Sequence, residues 1–193
     1  MARRPAARRV ALTVASSAAL VLVPGTATAA TTGTETITTV VRAGTLTITT
    51  GGPVDLGRAT LDPGNEVLVA RADLGATRVT DTRVDDLGFT VTGVLTPFTG
   101  PGGARINPAA LGWTPEIVET SDGFDVTAGP RVRPVPLRPE RPPGDGLSVS
   151  RVLVSARRGA GPGSALVDAA LLLRAPASTR PGAYVATITL TAL

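Results

Sequence analysis

Polar and apolar residues alternate strictly from 184 to 193: Tyr184, Ala186, Ile188, Leu190 and Ala192 fall on one face, Val185, Thr187, Thr189 and Thr191 on the other. Period-two alternation rich in β-branched residues, entered through the turn pair Pro181-Gly182, predicts a strand with one face buried and one wet. The same period recurs over 37–41 and 45–50, two strands joined near Ala43-Gly44, and a third strand is expected over 76–82. In 87–95, Phe89, Val91, Gly93 and Leu95 share a face, and a glycine inside a strand marks a bulge or a close backbone approach. Residues 147–156 slip phase, Leu147 and Val149 on one parity and Val152 and Val154 on the other, so a bulge is expected near Arg151. In 165–174, Val167, Ala169, Leu171 and Leu173 alternate with Asp168 and Arg174. Helix competes for this alanine- and leucine-rich run, but flanking glycines and prolines favour sheet.

Turn chemistry separates these runs. Val54 to Gly57 reads as a short extended piece, Asp62-Pro63-Gly64-Asn65 as a tight turn, and 97–103 as a loop. Asn107-Pro108 begins one helical turn that Gly112 ends, with the Thr114-Pro115 pair read as a further turn. Between 129 and 146 six prolines stand among four arginines, a density that cannot feed a ladder and predicts an exposed polyproline excursion. A partner-binding arm is the functional alternative for it. Short strands, almost no helix and frequent Gly and Pro turns point to an all-β fold, an antiparallel two-sheet sandwich, Ig-like or jelly-roll-like, with at most one short helical turn.

Residues 1–30 are expected to lie outside that fold. Arg3, Arg4, Arg8 and Arg9 precede an apolar stretch of about 14 residues, Val10 to Val23, and Ala27-Thr28-Ala29 offers small residues for cleavage. A bilayer-spanning helix needs roughly 20 apolar residues, so a cleaved secretory signal is the better reading, with no membrane insertion after cleavage. Residues 31–193 then form the mature domain. The full chain has 19 basic and 15 acidic residues, and loss of the four leader arginines leaves 15 of each. The pI of 11.1 therefore reflects the leader and the exclusive use of Arg, and gives no ground for nucleic-acid binding. Lysine is absent, in keeping with a GC-rich genome. No sortase signal, hydrophobic tail or lipidation motif follows the last strand, so attachment at that end is expected to be non-covalent.

Without cysteine there is no disulfide, thiolate or acylated N-terminal cysteine, and without histidine the commonest general base and metal ligand is missing. Candidate carboxylates are Asp85-Asp86 and the pair Asp122 and Asp125. Neighbours on a strand point apart and the second pair lies in a Ser-Asp-Gly turn, so both read as solvated loop acids. A calcium ion on Asp122 and Asp125 is the sharper alternative, without the acidic repeat of an EF-hand loop. No phosphate loop, dinucleotide fingerprint or nucleophile elbow occurs. No enzyme activity, cofactor or structural metal is expected. Single aromatics usually pack inside sandwiches, which is the first reading for Phe89 and Tyr184, whereas Trp113 beside a turn is a candidate for stacking on a sugar.

Three passages together resemble the WxL domain of secreted Gram-positive surface proteins, in a divergent actinobacterial form. Residues 79–83, Val-Thr-Asp-Thr-Arg, lead to Gly88, Phe89 and Val91, which places Phe89 and Val91 where the family carries Trp and Leu. Near the end Tyr184 keeps its place, Ile188 stands at the Trp position and Leu190 matches Leu. The likeness runs from about residue 45 to 193, with both signature tryptophans replaced. It implies a secreted protein, in the cell wall or extracellular, bound non-covalently to peptidoglycan, another wall glycan or companion surface proteins. Phe89, Val91, Trp113, Tyr184, Ile188 and Leu190 are the binding candidates. The alternative is a structural or assembly subunit, or adhesin-like module, that pairs with a protein partner through an exposed strand edge.

Overall fold

Two antiparallel sheets stack through the faces on which alternation places Val, Leu and Phe. The computed structural model describes residues 44–64, 66–85, 87–135 and 146–193, all within one compact unit that runs from Val41 to Leu193. The expected leader, the expected strand over 37–41, Asp86 and residues 136–145 of the proline-rich stretch lie outside the described residues.

Twelve strands are found in the described residues: β1 (Leu46–Thr49), β2 (Thr60–Leu61), β3 (Val67–Asp73), β4 (Thr77–Asp81), β5 (Phe89–Leu95), β6 (Phe98–Thr99), β7 (Arg105–Ile106), β8 (Leu111–Thr120), β9 (Val126–Ala128), β10 (Arg151–Ala156), β11 (Gly163–Pro176) and β12 (Ile188–Ala192). One sheet is six-stranded, ordered β1-β4-β11-β3-β2 with β8 on the other side of β11. The second is four-stranded, ordered β12-β5-β10-β9, and β6 and β7 form a small hairpin. Every pairing is antiparallel. The fold is the all-β sandwich that the alternation predicts.

The long strand β11 is the spine of the larger sheet. Its residues Ala165, Val167, Ala169, Leu171, Leu173 and Ala175 are all buried, the inner parity expected of it. β3 and β4 lie end to end along one side of β11, β3 opposite Ala170 to Pro176 and β4 opposite Gly163 to Val167. They are two halves of one strand interrupted at 74–76. Asp168 mends the interruption: its carboxylate accepts from the Gly75 N–H at 3.0 Å, while Leu74 N–H donates to the Ala169 carbonyl at 2.9 Å. Gly75 has φ 84, which a side chain would resist.

Several segments depart from the sequence reading: three 3-10 turns stand among the described residues where at most one was expected, at Pro101–Gly103, Pro108–Ala110 and Gly146–Ser148, and Phe98 and Thr99, expected in a loop, form β6. β3 is not signalled by alternation, because 67–73 is an apolar run followed by charges and owes its place to pairing with β11. The chain leaves the 3-10 turn Pro108–Ala110 directly into β8, so Gly112 stops nothing and Thr114-Pro115 is strand. The N-cap expected at Asn107 is present, its side chain accepting from the Ala109 N–H at 2.9 Å. Pro115 is tolerated because Trp113, on the same parity, turns its N–H away from β11 to the Val132 carbonyl, so this side of β8 needs no donor to the ladder. That bond also corrects the proline-rich excursion at its start. Val132 and Trp113 exchange both backbone bonds, at 3.0 and 2.8 Å, and Val135 N–H donates to the Ala109 carbonyl, so 132–135 lies against the sandwich.

The expected strand over 147–156 is corrected: Leu147 lies in a 3-10 turn, Gly146–Ser148, and β10 begins at Arg151, so the change of parity after Val149 comes from that turn, while a separate bulge between Val152 and Val154 lets Leu153 and Val154 both be fully buried. The β4–β5 connection is held by Asp81, a buried carboxylate. Arg83 reaches it through Nε at 2.9 Å and Nη2 at 2.7 Å, and also donates from Nη2 to the Gly88 carbonyl at 2.7 Å. The side-chain hydrogen bonds from Arg83 hold the Asp81 carboxyl below its usual range, against the opposing effect of burial.

Candidate functional site

The six binding candidates separate into two groups. Phe89, Val91 and Trp113 are core residues, with 5%, 0% and 1% of their surface exposed. Phe89 stacks on Phe124 with ring centroids 6.0 Å apart. Trp113 lies against Gly93: a Cβ built on that glycine would stand 2.5 Å from Trp113 Cη2 and 2.9 Å from Leu190 Cδ2. Gly93 is thus the close backbone approach, and the absent side chain makes room for an indole. The expectation that Trp113 stacks on a sugar is therefore corrected. A ring inside the sandwich presents no face to a ligand, and the adjoining residues that suggested an exposed turn are strand. Its Nε1 has no hydrogen-bond partner among the described residues.

Tyr184, Ile188 and Leu190 are half-buried and line a common groove, Leu190 also reaching Gly93 beside Trp113. The two signature-like segments are direct neighbours in the sheet, β12 running beside β5 with Ile188 opposite Leu95, Leu190 opposite Gly93 and Ala192 opposite Val91. Among the described residues the sandwich is not sealed on the β12 flank. A groove of about 790 Å³ opens where β1 on one sheet faces β12 on the other. Its floor is apolar, formed by Leu74, Leu95, Phe98, Leu111 and Leu171, and Thr50 and Asp55 are polar residues of its lining. A second cavity of about 710 Å³ adjoins it, bordered by Arg58 and Arg180 and sharing Leu56, Phe98 and Tyr184. Both volumes are of the size that encloses a small ligand or a few sugar units.

Tyr184 stands at the junction. Its hydroxyl donates to the Arg180 carbonyl at 2.8 Å, and its ring covers Gly100, where a Cβ would come within 2.5 Å. The segment 51–59 passes over the groove. Among the described residues it makes no backbone-to-backbone hydrogen bond to the sheets and is held by Leu56 and Ala59 against the core. The side chain of Asp55 accepts from Gly57 N–H at 2.8 Å, a local turn inside the segment.

The acidic candidates are not drawn into this flank. Asp122 and Asp125 are exposed on the β8–β9 connection, where Gly123 takes φ 76. No group of three or more His, Cys, Asp or Glu residues that could hold a metal occurs among the described residues. Asp85 is exposed as well. The groove floor escaped sequence reasoning because Leu95 and Leu171 carry the same inward parity as ordinary core positions, and only the gap between two sheet edges makes them a floor. Comparison of the chain with protein-family models, curated proteins and solved structures gave no match.

Proposed function

We propose that this chain is a non-enzymatic, exported module that attaches without covalent linkage to the bacterial cell wall, with peptidoglycan, another wall glycan or companion surface proteins as its ligand. The supporting observation is the unsealed flank. A half-buried aromatic, Tyr184, stands over an apolar groove with the polar residues Thr50 and Asp55 on its lining. Pyranose rings present apolar faces bordered by hydroxyls, and such a wall of ring and acceptors suits them. The export signal read from residues 1–30 supports the location, and a sequence without histidine or cysteine leaves catalysis only carboxylates, a Ser or Thr with an unusual base, or Tyr184.

Sedimentation with insoluble peptidoglycan tests this. Saturable binding is expected, weakened roughly tenfold by Tyr184→Ala, the loss of about one ring contact. Protein that stays in the supernatant at every peptidoglycan concentration defeats the reading. A second reading, an assembly subunit working through a strand edge, is favoured by the open side of β12.

A further inference from the structure

We infer that β12 is a self-pairing edge: two copies of this chain join antiparallel along residues 184–192, about a two-fold axis at Ile188, so that their four-stranded sheets become continuous. This rests on the edge itself and not on wall attachment.

Val185 and Thr99 exchange both backbone bonds, Thr96 N–H donates to the Thr187 carbonyl, and Leu193 and Thr90 exchange both bonds again. In an antiparallel ladder every second residue bonds to the same neighbour, so odd-numbered residues from 185 to 193 face β5 and β6. The N–H and C=O groups of Tyr184, Ala186, Ile188, Leu190 and Ala192 therefore point to the other side, where β12 has no neighbouring strand among the described residues.

Sheet edges in natural proteins are short, bulged, charged or covered, because an unguarded one invites another chain. The other edges here follow that rule. β9 has three residues between Asp125 and Pro130, β2 has two between Arg58 and Asp62, and β8 carries Pro115, Glu116 and Glu119 and is bridged by Val132. β1 has four residues and ends at Gly51-Gly52-Pro53. Residues 184–193 contain no charge, no proline and no glycine.

The unpaired backbone row calls for an extended polypeptide, since a lipid or glycan cannot match alternating donors and acceptors at strand spacing. A second copy of the same strand fits. With the axis at Ile188, Tyr184 pairs with Ala192 and Ala186 with Leu190, all from the outward-bonding set. On the wet face Thr187 of one copy comes opposite Thr189 of the other, a cross-strand pair that sheets favour. No like charges meet. Pairing consumes the edge on both copies, so assembly closes at two.

The test uses the full chain, purified from a host that exports it, by sedimentation velocity from micromolar to millimolar concentration. A concentration-dependent dimer is expected for the wild type. Thr187→Glu with Thr189→Glu sets like charges opposite one another and is expected to give monomer, while Thr187→Glu with Thr189→Lys sets opposite charges there and is expected to restore the dimer. Both positions are exposed, and intrinsic tryptophan fluorescence verifies that each variant is folded. A wild type that remains monomeric, assembly that continues beyond two, association unaffected by the paired glutamates, or no rescue by the glutamate–lysine variant each overturns the inference. None of these outcomes touches peptidoglycan sedimentation, so wall attachment stands or falls separately.

Discussion

Gly93→Ala is the sharpest probe of how this sandwich is packed. Gly93 is not among the positive-φ glycines, so its backbone suits alanine, and the substitution alone would stabilise by about 0.4–1 kcal/mol through the unfolded chain. Against that, the new methyl stands 2.5 Å from Trp113 Cη2, 2.9 Å from Cζ3 and 2.9 Å from Leu190 Cδ2. Carbon atoms prefer separations of roughly 3.5–4.0 Å. The indole cannot readily retreat, because Trp113 is 1% exposed and its backbone is bonded to Val132 and placed opposite Leu171. Leu190 is half-buried on an edge strand and yields more easily. Overpacking of this kind costs about 1–3 kcal/mol, so a net loss of about 1–2 kcal/mol is expected. At about 2–4 °C per kcal/mol the melting temperature should fall by several degrees. Urea unfolding followed by fluorescence measures it directly, since Trp113 is the one tryptophan of the chain. A cycle with Trp113→Phe localises the cause: phenylalanine lacks Cη2 and Cζ3, so the two substitutions together should be less harmful than their sum by at least ~0.5 kcal/mol, read by circular dichroism. Stabilisation by Gly93→Ala, or strict additivity with Trp113→Phe, would refute this packing.

Removal of the Asp81 charge by Asp81→Asn should destabilise at neutral pH by about 1.5–3 kcal/mol, the worth of hydrogen bonds to a charged group. Because Arg83 lowers the folded-state pKa of Asp81, that contribution is present above the unfolded value near 4 and is lost as pH falls through the folded one, so wild type and variant should converge in urea melts below about pH 4. Asp168→Ala frees the Gly75 N–H at the β3–β4 break and should cost about 1–3 kcal/mol, with faster amide exchange at 74–76 as its local signature. Val185→Asp, at a position 73% exposed, should leave stability within about 0.5 kcal/mol of wild type in the same melts.

Much of this fold was legible because alternation reports burial directly. β5, β11 and β12 carry the inner parity that the sequence assigns to them, whereas the phase slip over 147–156 marks a 3-10 turn before β10 and gave no sign of the bulge at Val152 to Val154. Other elements were hidden for physical reasons. β8 contains Gly112 and Pro115, which locally mean turn, and it is a strand because β11 supplies a partner on one side and Val132 on the other. β3 and β4 look like separate elements until Asp168 is seen to join them across Gly75. Pairing between distant segments overrode local preference in both cases.

The candidate site was only half visible in the sequence. Alternation makes Phe89, Val91, Ile188 and Leu190 equivalent, four apolar residues at strand spacing, and a family-like motif groups them. The sheets separate them by position. β5 is an inner strand whose apolar face meets the opposite sheet, so Phe89 and Val91 are consumed by packing. β12 is an edge strand, so Ile188 and Leu190 stay half-covered and Tyr184 borders the groove. Whether a position is interior or at an edge depends on strand order, which no window of sequence encodes. Edges do leave one local trace, the presence or absence of charge and proline. That trace singles out residues 184–193, so the stretch with the plainest alternation is also the edge without charge or proline among the described residues, and such an edge invites pairing with another chain.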